Sequence, residues 1–339
     1  MRCNHSSLAK KLCAFHVENN IKNNIENKTE LKLTDQQLKL RKTYLKNGMI
    51  DLRKTDESMK KNWKQIAEMV KSGAFKKIVV MVGAGISVAA GIPDFRTPGK
   101  GLYFNFQKFN LPSPTDMFNI DFFMKHPDAF YKFAKEIWPG KNTPTLTHEF
   151  LKMLQDSENL LRVYTQNIDG LEKTAGIKPQ NIVEVHGSFE SAHVANTNQS
   201  VPIKELYDAI HFGKYGPHGW KALSKKYGGY VKPNITFFGE NTPKRFHELY
   251  RRDFRNCDLL IIMGTSLKVS PFKELIGQVK PNTPRVLIDI TKPEHDHSVT
   301  QNIKELKKLH LADPMILDFS NARDILYHGT TDAAVTQMM

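Results

Sequence analysis

Four apolar runs in this chain stop abruptly at clusters of glycine and small polar residues, a pattern open to few folds. Ile78-Val79-Val80-Met81-Val82 stops at Gly83-Ala84-Gly85. Leu160-Leu161 leads into Tyr164-Thr165-Gln166-Asn167-Ile168-Asp169-Gly170, and Ile182-Val183 into Val185-His186-Gly187-Ser188-Phe189. Leu259-Leu260-Ile261-Ile262 leads into Met263-Gly264-Thr265-Ser266-Leu267. Short continuous apolar runs bounded by turn residues read as strands buried on both faces. The expected strands are Lys77–Val82, Leu161–Thr165, Ile182–Val185, Leu259–Gly264 and Arg285–Ile290, with helical stretches between them. That alternation predicts an α/β fold, a Rossmann-like parallel sheet with helices on both faces. Each cluster then lies at the carboxyl end of a strand, where open sheets of this kind bind ligands.

The first cluster is the most specific. Two close glycines let a backbone turn sharply and approach a ligand without a Cβ in the way. A small-residue helix, Ser87-Val88-Ala89-Ala90, is expected next, and free N–H groups at a helix start attract phosphate. Gly83-Ala84-Gly85 supplies two glycines of the G-x-G-x-x-G pattern, but Val88 holds the third place. On spacing alone, an ordinary α/β turn and a dinucleotide site fit equally well. Ile92-Pro93-Asp94-Phe95-Arg96 follows where an ordinary unit would continue to its second strand.

In order, GAGIS, GIPDFR, TQNID, HG and GTSL resemble the sirtuin family, the NAD-dependent protein lysine deacylases, from about Phe75 to about Asp332. PDFRTPGKGLY, HPDAFYKFAKEIWPG, VKPNITFFGE and GTSLKVSPF are similar to the branch holding the main cytosolic and mitochondrial deacetylases. The resemblance implies removal of an acetyl or similar neutral acyl group from a protein lysine, with NAD consumed to nicotinamide and O-acyl-ADP-ribose. It places His186 as the general base on the ribose hydroxyls, a task that suits a group titrating near neutrality. Asn167 matches the residue that orients the ribose and the attacking water, with Asp169 two positions on. Gly83, Ala84 and Gly85 match the phosphate turn, and Ile92 and Asp94 the nicotinamide pocket. Phe95 matches the ring that shields the reacting carbon. Arg96 supports the phosphates and a lid loop that runs through Tyr103. Gln166 lies toward the ribose. Gly264, Thr265 and Ser266 match the contacts to phosphate and adenosine ribose. Asp289 stands where many relatives have Asn, and Thr331 replaces a Cys in the adenine-side turn. Val231, Phe237, Phe238, Gly239 and Glu240 match the acyl-lysine groove, where a peptide adds as a strand. The Tyr and Arg that select acidic acyl groups in one branch are absent, and Phe104-Asn105-Phe106 stands near that place. Two rivals are mono-ADP-ribosyl transfer and a non-catalytic module that binds NAD or acyl-lysine.

The chain departs from the family at its structural zinc. The four cysteines should lie at Val194, near Thr197 or Gln199, near Ser224 and near Tyr227, and none is Cys. His193, His211 and His218 have spacings that match no usual zinc site. No metal ligand is therefore assigned, zinc is expected to be absent, and apolar packing is expected to hold the small module.

At 339 residues, the chain has room for about two domains. The reading is a variable basic extension at 1–57 and a catalytic domain at 58–339, with insertions at about 99–147 and 189–240. The formal charge of +14 is uneven: residues 1–77 hold 18 Lys/Arg against 8 Asp/Glu. That basic segment could meet nucleic acid, acidic partners or a membrane, but a solvated extension is the plainer reading. No specific nucleic acid partner is expected, and no apolar run nears the ~18 residues of a membrane span. Residues 1–30 are rich in Asn and Lys and read as disordered. Helices are expected at Thr34–Lys46, capped by Thr34 and closed near Gly48, and at Asp56–Lys71. Three cysteines, Cys3, Cys13 and Cys257, suit a reducing compartment, and Cys257 reads as a small core residue. Only Arg2, Lys10 and Lys11 precede the first acid, Glu18, a weak match to a mitochondrial transit segment. The expected setting is intracellular, cytoplasmic or nuclear first and mitochondrial second.

Overall fold

The computed structural model describes residues 34–46, 50–51, 62–95, 97, 99, 101–102, 106–109, 111–212, 219–291, 304–309, 311–320 and 323–339. The expected disorder at 1–30, Arg96, Tyr103, Phe104, Asn105, His218 and the helix closure at Gly48 lie outside them. The chain divides into two compact units, Met1–Asn47 and Gly48–Met339. In the first, helix α1 spans Asp35–Lys46. Thr34 caps it reciprocally: its hydroxyl accepts from the Gln37 N–H at 3.3 Å, and its own N–H donates to Gln37 Oε1 at 2.9 Å.

In the second unit, a short strand β1 (Ile50–Asp51) comes first, then helix α2 (Trp63–Lys71). Of the expected Asp56–Lys71 helix, the part from Trp63 to Lys71 is described. The Asn62 side chain accepts from Gln65 N–H and caps its start, and 56–61 lie outside the described residues. Strand β2 (Ile78–Val82) follows. Helices α3 (Ile120–Lys125), α4 (Pro127–Ile137) and α5 (Leu146–Asp156) precede strand β3 (Leu160–Thr165) and the one-turn helix α6 (Leu171–Thr174). Then come β4 (Ile182–Glu184), β5 (Gly187–Val194), β6 (Ser200–Val201), α7 (Ile203–His211), α8 (Gly219–Tyr227) and β7 (Val231–Ile235). The chain ends with α9 (Lys244–Asn256), β8 (Leu259–Met263), β9 (Arg285–Asp289), β10 (Leu311–Ala312), β11 (Asp324–His328) and α10 (Thr331–Met338). Strands β1 and β10 pair with each other.

Six strands form one parallel sheet in the order β11-β9-β8-β2-β3-β4. Strand β2 runs through its middle with all five side chains buried, which is why its sequence is apolar throughout rather than alternating. Ile78, Val80 and Val82 pack on the side covered by α2, α5 and α10. Val79 and Met81 pack on the other side against Phe246 and Phe254 of α9. All five expected strands form, but Val185, Gly264 and Ile290 fall in the loops beyond them. The sixth, β11, occupies an edge, and its Asp324 and His328 ends hide it from an apolar search.

A separate core holds the inserted segments. Phe106, Phe123, Phe130 and Phe133 pack with Val194, Leu206, Leu223, Val231 and Phe237. Its three-stranded antiparallel sheet, β6-β5-β7, was not among the expected strands, because β5 and β7 mix polar and apolar residues instead of forming continuous apolar runs. Buried Arg285 at the base of β9 is satisfied in full by both Asp324 oxygens at 2.6 Å and by the carbonyls of Ile276, Pro314 and Ile316.

Candidate active site

The carboxyl ends of β2, β3, β4 and β8 meet in one place. No α-helix follows Gly83-Ala84-Gly85, contrary to expectation. The chain makes two 3₁₀ turns, Ala84–Ile86 and Val88–Ala90, and Gly91 ends the second with φ at 85°. The reason for the glycines also differs. The Gly85 N–H donates to the Gly264 carbonyl at 2.9 Å, and the Gly83 N–H to Met263 at 3.1 Å. A Cβ at Gly83 would lie 2.8 Å from Thr265 Cβ. The room left by the missing side chains is filled by the loop after β8.

The loop after β3 ties these ends together. Gln166 Nε2 donates to Thr265 Oγ1 at 2.7 Å. Asn167 is buried, and its Nδ2 donates to the Gly83 carbonyl at 3.1 Å and to Ser87 Oγ at 3.4 Å. The Ser87 hydroxyl donates to Asp169 Oδ2 at 2.7 Å, and the Leu171 N–H to Asp169 Oδ1. Ser87, the last residue of the GAGIS motif, thus links Asn167 to Asp169.

His186 sits between β4 and β5. Its Nδ1 lies 3.1 Å from the Gln166 carbonyl. A carbonyl only accepts, so Nδ1 carries the proton and the neutral ring keeps its lone pair on Nε2. Burial holds its pKa below the ordinary histidine value, against the pull of that carbonyl. Gly187 turns the chain directly into β5 with φ at 70°, and a Cβ there would strike the Asn234 carbonyl. Only glycine can follow His186 here.

The loop beyond the 3₁₀ turns is knotted on Asp94. The Thr97 N–H donates to Asp94 Oδ1 at 2.7 Å and the Thr97 hydroxyl to Oδ2, while the Leu102 N–H donates to the Asp94 carbonyl. The Phe95 ring meets Phe118 edge-on, with centroids 6.0 Å apart. The Ile92 N–H donates back to the Ser87 carbonyl at 3.3 Å. On the other flank, Asp289 Oδ1 accepts from the N–H and the hydroxyl of Thr291. Thr331 stands apart, its hydroxyl accepting from that of Thr147 at 2.9 Å.

The residues expected to form the groove divide by exposure. Val231 and Phe237 are side chains of the module core, and the Val231 carbonyl takes the Tyr131 hydroxyl at 2.7 Å. Phe238 is 46% exposed, and its backbone pairs with Phe118 and Ile120. Glu240 points inward: its Oε2 accepts from the Phe237 N–H at 2.8 Å and from fully buried Lys232 at 3.0 Å. Lys232 also donates to the Ile235 carbonyl and lies 4.4 Å from the Phe237 ring centroid.

Among the described residues, the positions expected for the zinc cysteines carry no cluster of three metal-ligating side chains. Val194 is fully buried in the core, and its N–H closes a tight turn onto Gln199. Asn198 takes a left-handed φ of 57°, and Gly229 lies against Val194 and Asn196. The Tyr227 hydroxyl donates to Glu205, His193 is engaged by Asn234, and His211 stacks on Tyr207.

An open six-stranded parallel sheet with loops gathered at its carboxyl ends, joined to a separate three-stranded module, defines a Rossmann-like α/β protein. Residues 83–271 match the model of the Sir2 family. The chain is 46% identical over 229 residues to the NAD-dependent protein deacetylase sirtuin-2 of Danio rerio, covering 67% of this chain and 59% of that protein. It is 44% identical over 224 residues to sirtuin-3 of Mus musculus, covering 66% and 65%. It is 44% identical over 229 residues to the deacetylase HST2 of Candida albicans, covering 68% and 67%. The protein belongs to the Sir2 family. It spans less than two thirds of the zebrafish and mouse relatives. No helix among the described residues is long and apolar enough to cross a membrane.

Proposed function

We propose that this protein removes acetyl or similar neutral acyl groups from protein lysines at the expense of NAD. The observation that carries this is the pair His186 and Asn167, joined through Gln166. The Gln166 carbonyl sets the His186 tautomer, and the adjacent Asn167 is anchored on the glycine turn. Buried and neutral, His186 presents Nε2 as a base for a ribose hydroxyl. NAD fits the donor set. Hydroxyls of Thr265 and Ser266 and the Gln166 amide stand at the strand ends where a pyrophosphate and ribose would lie, and Asp289 Oδ2 suits the adenosine ribose. Gly83, Ala84 and Gly85 shape the turn beneath them. Ile92, Asp94 and Phe95 form the nicotinamide side, with Arg96 and Tyr103 assigned to the lid.

The acyl-lysine peptide lies against the exposed Phe238 side chain and pairs as an added strand from Gly239 on, with Val231, Phe237 and Glu240 supporting that edge from within. Acetylated proteins are the partners on this reading. The catalytic domain begins at about residue 58, and its small module folds without zinc, through the packing of Val194, Leu206 and Leu223.

Mass spectrometry of an acetyl-lysine peptide with NAD tests this. Free lysine and O-acetyl-ADP-ribose, absent in His186→Ala, are expected. ADP-ribose on protein with no deacylated peptide would move the assignment to ADP-ribosyl transfer.

A further inference from the structure

The loop carrying Asn167 rests on buried polar groups that the reaction above leaves unused. His148 on α5 and Glu172 on α6 are 0% and 2% exposed. His148 Nε2 and Glu172 Oε1 have no hydrogen-bond partner among the described residues. One donor or acceptor atom from each of His148, Asp169 and Glu172 lies within 4.8 Å of the others. Buried polar atoms without partners are rare, and two in one cluster need an explanation.

Thr145 engages one nitrogen of the ring: its N–H lies 3.2 Å from His148 Nδ1, and its hydroxyl oxygen, which donates to the Ile86 carbonyl, lies 2.8 Å from the same atom. Nδ1 is the engaged nitrogen and Nε2 the unpartnered one. Burial keeps His148 neutral, lowering its pKa to about 4. Burial, then the charge of Asp169, raises that of Glu172. Glu172 is thus the acid of the cluster whose ionised form burial disfavours.

Two polar chains lead from these acids to Asn167. The Thr165 side chain lies against Glu172, and its Oγ1 accepts from the Asn167 N–H at 3.0 Å. Asp169 accepts from the Ser87 hydroxyl, whose oxygen accepts from Asn167 Nδ2. One chain fixes the backbone of Asn167 and the other fixes its amide.

We propose that Glu172 is a positioning residue for Asn167, holding it from beneath the loop through Thr165 on one side and Asp169 and Ser87 on the other. The inference rests on the assignment of Asn167 to the reacting end of the pocket. Ionisation of Glu172 would set a second negative charge beside Asp169 and disturb both chains. The groups facing it are Asp169, His148 from α5, Glu184 from the end of β4 and, across His148, Asp332 at the start of α10. Lys173 is engaged by Glu184 and Glu190.

Glu172→Gln keeps the shape and the neutral form, whereas Glu172→Ala removes both. In Glu172→Ala, kcat is expected to fall about tenfold or more with KM for peptide unchanged, and Glu172→Gln to stay within about threefold at neutral pH. The wild-type rate should decline on the alkaline side, and that decline should vanish in Glu172→Gln. A second readout does not depend on turnover. The nitrogen-15 side-chain amide signal of Asn167, assigned with Asn167→Ser, should move in Glu172→Ala and hold its place in Glu172→Gln. If wild type shows no turnover while the amide moves, the deacetylase reading fails and the positioning role stands. Glu172→Ala with full turnover and an unmoved amide overturns the positioning role. So does an equal loss in both variants that matches only their lost folded fraction.

Discussion

Gly85 and Gly264 are packed backbone against backbone. A Cβ on Gly85 would lie 2.6 Å from Gly264 Cα, and one on Gly264 would lie 2.7 Å from Gly85 Cα. Neither neighbour is a side chain that could swing aside, and Gly264 also holds φ at 59°. The turn after β2 and the loop after β8 therefore behave as one rigid piece. Either glycine changed to alanine must push the loops apart, at a cost of about 1–3 kcal/mol from overpacking. Urea unfolding should show that loss, and the NAD-induced thermal shift should vanish with it. A variant that still binds NAD fully would mean the loops are independent.

His186 should govern the acid limb of the rate. Its pKa lies below the ordinary value of 6.5 because burial disfavours the cation. The neutral base is then present across neutral pH and is lost only as pH falls through that lowered value. The pH profile of kcat/KM should be flat near pH 7 with its acid midpoint below 6.5. His186→Ala should lower kcat by roughly 10²–10⁴ with its unfolding curve intact. A midpoint above 6.5 would place the titrating base elsewhere.

His148 and Glu172 should bend the stability curve in opposite directions. The folded pKa of His148 is lowered from 6.5 to about 4, so its contribution is present above 6.5 and is lost as pH falls through the folded value. The folded pKa of Glu172 is raised from 4.5 to about 8, so its contribution is full below 4.5 and is lost as pH rises toward 8. The two slopes oppose each other between 4.5 and 6.5, and above 6.5 the Glu172 slope alone remains. Denaturant titrations from neutrality to pH 8 should show falling stability in wild type and a flatter line in Glu172→Gln. Parallel lines would dismiss the buried acid.

The strand ends were legible in the sequence because burial on both faces forces continuous apolar runs, and those runs stop where the backbone must turn. That is why β2 and β8 stand out and edge strand β11, with Asp324 and His328, does not. The turn geometry was hidden. Gly83 and Gly85 signal close approach, but what approaches them is Gly264, far away in the chain. His148 and Glu172 were missed because a buried polar residue looks like a solvated one until its neighbours are known. One local signal existed: Thr145 and His148 stand at the spacing of a capping box, which ties that histidine to the helix start rather than to solvent.

Lys232 should control the groove edge without touching the chemistry. It is fully buried, and its ammonium holds the Glu240 carboxylate and the Ile235 carbonyl beneath Phe237. Lys232→Met keeps the length but leaves Glu240 facing an apolar stem. Breaking one side of a buried pair costs about 3–5 kcal/mol, less here because Glu240 is partly exposed. KM for peptide should rise while the NAD-induced thermal shift stays. Glu240→Gln in the same background should recover part of the stability. No recovery would show that the pair is not the source.

The small module should be indifferent to chelators. Structural zinc in a module of this size supplies much of the folding free energy, so chelation normally unfolds it. Here the corresponding positions carry Val194 in the core, the turn at Asn198 and the Tyr227–Glu205 bond. Buried Leu206 and Leu223 join the same core from α7 and α8. Incubation with a strong zinc chelator should leave Tm and turnover unchanged. Leu223→Ala, which empties a fully buried site, should cost about 2–5 kcal/mol and lower Tm. A fall in Tm with chelator, reversed by added zinc, would show that the module holds a metal through other ligands.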